Sequence, residues 1–144
     1  MDITKTVNMN VMMFGRIDVK KLFVSVPMKG RTEEEIKYSI TKMHRIAEAY
    51  EGEELELLDS WVDEAPPANC NKSAWYLGKS IEKLATADVF IGISDTTGWS
   101  GCQIEAEVAR SYNIKNYLID SNIIVDYKAM VARAFQNATY NTIN

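Results

Sequence analysis

Apolar residues fall along this chain in two rhythms: short continuous runs, and longer segments that repeat every three or four positions. The run LFVSVP, Leu22 to Pro27, is apolar and rich in β-formers, and Pro27 with Gly30 closes it, so it reads as a buried strand. Thr32 and Glu35 then stand at capping-box spacing. Ile36, Ile40, Met43, Ala47 and Tyr50 follow at helical intervals, predicting a helix that ends near Gly52.

LELLD, Leu55 to Asp59, predicts a second strand. Past a polar loop with Pro66 and Pro67, a helix is expected from about Ser73 to Thr86, with Leu77, Ile81 and Leu84 on one side. Asp88 opens a third strand, DVFIGIS. The loop Asp95 to Trp99 leads into a helix reaching about Tyr112, where Ser100 and Gln103 offer a second capping box. Lys115 to Ile119 predicts a fourth strand, and Asp126 to Gln136 a last helix.

Strands alternating with helices are βαβ units, which require a parallel sheet and right-handed crossovers. The expected fold is a single three-layer α/β domain, flavodoxin-like or Rossmann-like, with helices on both faces. It occupies residues 21–144. Residues 1–20 form an N-terminal extension in which VNMNVMMF is an edge strand or a subunit-contact arm. Ligands in such sheets sit beyond the carboxyl ends of the strands, which selects Val26 to Arg31, Asp95 to Gly101 and Asp120 to Asn122.

Composition narrows the classes of function. At 144 residues, with 47% hydrophobic and 25% charged residues, the chain is ordinary globular material for one core. No apolar run approaches the roughly 18 residues of a membrane span, and the first segment lacks the layout of a signal peptide, so a cytoplasmic protein without membrane contact is expected. Cys70, Cys102 and the single His44 have no metal-ligand spacing, so neither metal nor cofactor is expected and both thiols read as reduced. A net charge of -4 with lysines scattered among glutamates argues against long nucleic acids and leaves a small nucleotide open. No GxGxxG or Walker loop occurs.

Two segments carry candidate chemistry. The loop PMKGRT combines Pro27, Met28, Lys29, Gly30 and Arg31 at a helix start, the parts of an anion site. Glu33, Glu34 and Glu35 oppose a phosphate on that helix axis, and a tight turn with solvated charges is the competing reading. The second segment is GWSGCQIEAEVA, residues 98 to 109. Gly98 and Gly101 allow close approach, Ser100 adds a hydroxyl, and Trp99 suits stacking on a base or anchoring the loop.

Glu105 shares a helix face with Gly101, Cys102, Ala109 and Tyr112, placing its carboxylate at the core edge beneath the loop. A carboxylate there is expected to stay ionised and to attack or stabilise an anomeric carbon as a base leaves, with Asp95 supplying a second charge or a proton. The bland alternative is a glutamate that ties down the loop through backbone amides. Glu107 is placed to pair with Arg110, and neither His44 nor Cys102 receives a role.

The order FVSVPMKG, ADVFI and GWSGCQIEAEVA resembles the nucleoside 2-deoxyribosyltransferase superfamily, especially a small branch frequent in bacteria and their phages. The resemblance spans Leu22 to Ile119. It implies a nucleoside 2-deoxyribosyltransferase-like domain over 21–144 that acts at an N-glycosidic bond as a transferase or hydrolase. It also implies Glu105, four residues before Ala109, as nucleophile, and a homo-oligomer. Two supports of that chemistry have other residues here. Phe23 stands where the transferases carry an orienting tyrosine, and Ser80 where they carry an aspartate that serves the leaving base. Those departures keep a second function open, a phage-type binder in the host cytoplasm that sequesters a nucleotide-derived immune signal such as cyclic ADP-ribose without turnover.

Overall fold

A computed structural model of the chain describes residues 18–123 and 131–138. In chain order the elements are β1 (Lys21–Val24), α1 (Glu33–Glu51), β2 (Glu56–Leu57), α2 (Lys72–Leu84), β3 (Val89–Ile93), α3 (Ser100–Ser111) and β4 (Lys115–Ile119). A 3-10 turn (Ser121–Ile123) and a helical stretch, α4 (131–138), follow. The four strands run parallel in the order β2-β1-β3-β4, the beginning of a flavodoxin-like sheet, so the α/β architecture expected from the alternation is present.

The pleat sorts the strand residues onto two cores. Leu22, Val24, Val26, Val89, Ile91 and Ile93 face α1, where Ile36, Met43 and Ala47 meet them. Phe23 and Phe90 face the other way, against Leu84 of α2 and Ala109 of α3. Helices therefore cover both faces. The strand order reverses between β1 and β3, the place in such sheets beyond whose carboxyl ends ligands are generally found.

Helix starts follow local chemistry where the side chains can reach. The Thr32 box forms: Glu35 N–H donates to Thr32 Oγ1 at 3.1 Å, and Thr32 N–H to Glu35 Oε1 at 2.7 Å. Glu35 is consequently buried instead of solvated. Helix α1 ends at Gly52, which takes the left-handed φ of 72°. Helix α2 starts one residue earlier than expected, because Asn71 Oδ1 accepts from Ala74 N–H at 3.0 Å. The box expected between Ser100 and Gln103 does not form. Ser100 is already helical, and Trp99 takes the cap position with no side-chain hydrogen bond.

Both early strands are shorter than their apolar runs. Leu55 lies outside β2 because α1 uses its backbone: its N–H donates to Glu48 Oε2 at 2.9 Å and its carbonyl bonds His44 Nε2 at 2.8 Å. His44 is thus a tie between helix and sheet. The VNMNVMMF segment and residues 126–130 of the expected last helix lie outside the described residues, and 131–138 is helical. Among the described residues no helix is long and apolar enough to cross a membrane.

At the amino ends of the strands Glu51, its side chain 2% exposed, bonds Lys115 Nζ at 2.8 Å, Lys20 Nζ at 3.6 Å and the Tyr117 hydroxyl. The Lys115 and Tyr117 hydrogen bonds hold its carboxyl below the usual carboxylate range. A depressed folded pKa stabilises above the unfolded value near 4.5 and loses that contribution as pH falls through the folded one. Glu51→Gln is expected to cost about 1 kcal/mol at neutral pH, since both lysines are well solvated. Its stability curve should also flatten below pH 4.5, as read by urea unfolding between pH 3 and 7. Parallel curves for the two proteins would refute this assignment.

Candidate functional site

The site is assembled from three elements on the α2/α3 face. Ser25 follows β1, where its N–H still joins the ladder by donating to Ile91 O at 2.9 Å. By strand alternation its side chain lies on the same side as Phe23. Ser80 sits on the inner side of α2 with Leu77 and Leu84, three and four positions away. Glu105 lies on α3 between Cys102 and Ala109, both buried.

These side chains meet. Ser25 Oγ donates to Glu105 Oε1 at 2.6 Å, and Ser80 Oγ donates to Glu105 Oε2 at 2.5 Å. Each carboxylate oxygen is held by a different hydroxyl, from residues 80 and 25 positions away in the chain. Gly92 of β3 clears the space beside them. A Cβ there would come within 2.8 Å of the Phe90 ring and 3.6 Å of Ser25 Cβ.

Burial pushes the Glu105 carboxyl above the usual range, and the Ser25 and Ser80 hydrogen bonds pull the other way without cancelling it. The net direction is opposite to the lowering expected of a carboxylate near a helix start, because withdrawal from water is the largest influence. Cys102 is 6% exposed, and burial raises its thiol to about 11, with Ser25 opposing. It is a packed, protonated thiol.

Phe23 is core, stacked on Phe90 at 5.9 Å, and the hydroxyl that donates to Glu105 Oε1 stands two residues later, at Ser25. Ser80 reaches the carboxylate itself. Both left a trace in sequence: Ser25 is the polar residue within LFVSVP, and Ser80 interrupts an apolar helical stripe.

The remaining candidates are placed as follows. Pro27 is buried, while Met28, Lys29 and Gly30 are exposed on the loop after β1. Arg31 turns inward, its guanidinium donating to Pro27 O at 2.9 Å, Glu35 O at 3.2 Å and Ser39 Oγ at 2.8 Å. Burial lowers its pKa. The loop is thereby braced by the cation that an anion site would use. Asp95 is exposed, and the Thr97 hydroxyl and N–H, the latter at 3.1 Å, hold it below its ordinary value. Gly98 is exposed with φ 85°, Gly101 is half-buried and Ser100 is exposed. Trp99 packs against the α1-side core, which favours the anchoring role. Glu107 pairs with Arg110 as expected.

A cavity of about 260 Å³ lies elsewhere, between α1 and the end of β2, lined by Val24, Ile40, Leu57 and Trp61. It belongs to the face opposite Glu105. Among the described residues no cluster of three or more His, Cys, Asp or Glu could hold a metal ion.

The fold and the site define an α/β protein of flavodoxin-like strand order with a doubly held, largely buried carboxylate where β1, α2 and α3 meet. Compared with protein-family models, curated proteins and solved structures, the chain matches none.

Proposed function

We propose that this chain binds a nucleoside or nucleotide and acts at its N-glycosidic bond, with Glu105 as nucleophile. The observation that carries the reading is the Glu105 carboxylate held by Ser25 and Ser80 where β1, α2 and α3 converge. A nucleophile fixed at both oxygens has lost the rotational freedom that otherwise opposes attack on the anomeric carbon. Ser25 and Ser80 are positioning residues. The loops after β1 and β3, with Lys29, Gly30, Gly98 and Ser100 exposed, are where sugar and base would be gripped.

The test is incubation with a panel of nucleosides and nucleoside monophosphates, with chromatography for free base. Release of base that is lost in Glu105→Gln supports the reading, and no release across the panel refutes it. Intact nucleotide recovered from denatured protein, with no base released, would instead mark a sequestering binder.

The same reading includes a homo-oligomer. Its support is β4, which stands at the edge of the sheet among the described residues, with its α3-side residues Asn116 and Leu118 exposed, Leu118 at 51%. Light scattering on the full chain is expected to report at least a dimer, and Leu118→Glu to shift it toward monomer. A parent protein that is monomeric at 100 µM, an assay concentration on the order of common dimer constants, would overturn this point.

A further inference from the structure

A leaving base has to dispose of the electron pair of the broken C–N bond. Adenine, cytosine or thymine leaves as an anion unless a proton reaches it, and a positioned acid supplies about 10²- to 10⁴-fold in rate. Among the described residues, Ser25, Ser80, Cys102, Asp95 and His44 are each poorly suited to that task. Ser25 and Ser80 are hydroxyls already committed as donors to the carboxylate. Cys102 is a buried thiol that keeps its proton up to about 11. Asp95 is exposed, turned onto Thr97 and held in its ionised form. His44 is bound to the Leu55 carbonyl on the α1 side of the sheet.

Charge points the same way. Arg31 spends its guanidinium on Pro27, Glu35 and Ser39. Glu33 and Glu34 stand exposed at the start of α1, leaving Lys29 as the exposed cation of the loop after β1.

We propose that the substrates of this site are N-glycosides whose base is already a cation, of the pyridinium riboside class, because such a base departs without a protein acid. The inference rests on the reading of Glu105 as nucleophile. In the first step the C1′–N bond breaks and both electrons pass to the ring nitrogen, cancelling its positive charge. A Glu105 oxygen forms an ester bond to C1′. Water then attacks C1′, releases a proton to solvent and expels the carboxylate. The cationic ring also adds an opposite charge beside Glu105, which favours the ionised form that attack requires.

The experiment compares N-ribosylnicotinamide with adenosine, and the 2′-deoxyribosyl forms of both, using the full chain and chromatographic detection of free base. The expected result is a kcat/KM at least about 100-fold higher for the pyridinium compounds, the lower end of what a missing acid costs. It should be lost in Glu105→Gln and reduced in Ser25→Ala and Ser80→Ala, with folding checked by circular dichroism. Cleavage of adenosine at a comparable or higher rate would overturn the substrate class and leave the glycosidic function standing. Cleavage of none of the four compounds overturns both.

Discussion

Glu105→Gln is expected to lower base release by about 10³-fold or more while the melting temperature stays at or above that of the parent protein. The two halves of this result have separate causes. Glutamine keeps the shape of the side chain, and its amide can still accept from one serine and donate to the other, so the junction of β1, α2 and α3 persists. What it loses is the anionic oxygen that the proposed attack on carbon requires.

Stability moves the other way because the Glu105 carboxyl titrates above its unfolded value near 4.5. At pH above that unfolded value the raised pKa costs the fold stability. That cost is relieved as pH falls through the raised folded value and is absent below the unfolded one. A neutral glutamine removes it at every pH. A glutamate kept only to tie elements together would give the opposite outcome: a clear drop in melting temperature and no change in any activity. Calorimetry beside the base-release assay therefore separates a nucleophile from a tie, and a destabilised Glu105→Gln protein with unchanged turnover would end the proposal.

Phe90→Ala is expected to cost about 3–5 kcal/mol, the largest stability loss of any single change considered. Phe90 is 0% exposed and stacks on Phe23 with the rings 9° apart. Its ring also fills the space that a side chain on Gly92 would need. Removing it leaves a hole beneath Ser25 and Glu105 which neighbouring strands in mid-sheet cannot close. The midpoint of urea unfolding should fall with little change in m, and the melting temperature by roughly 10 °C or more. Phe90→Leu, closer in volume, should lose less. A Phe90→Ala protein within 1 kcal/mol of the parent, a shift typical of surface changes, would show the core beneath the site to be far more plastic than its packing implies.

Much of the architecture was legible along the chain. The strands at Lys115–Ile119 and Val89–Ile93, the Thr32 box, the Gly52 stop and the parallel sheet follow from periodicity and capping, which are properties of neighbouring residues. The misreadings arose where a distant group intervened. Leu55 was claimed by α1, and Ser100 entered the helix without a side-chain cap, while of the two readings open for Trp99 the packing favours the anchor. Arg31 met Ser39 and the Pro27 carbonyl instead of standing free for an anion.

The candidate site divides along the same line. Glu105 stood out in sequence because its own helix places it among small and buried neighbours. Its two partners did not, since nothing local joins a serine after β1 to a serine in α2. By itself the sequence determined the elements, their two periods and two carboxylates worth watching, Glu105 and Asp95. Only the tertiary structure decided what surrounds Glu105, because the order of strands in the sheet, set by packing over the whole core, brings residues 25, 80 and 105 within hydrogen-bond reach.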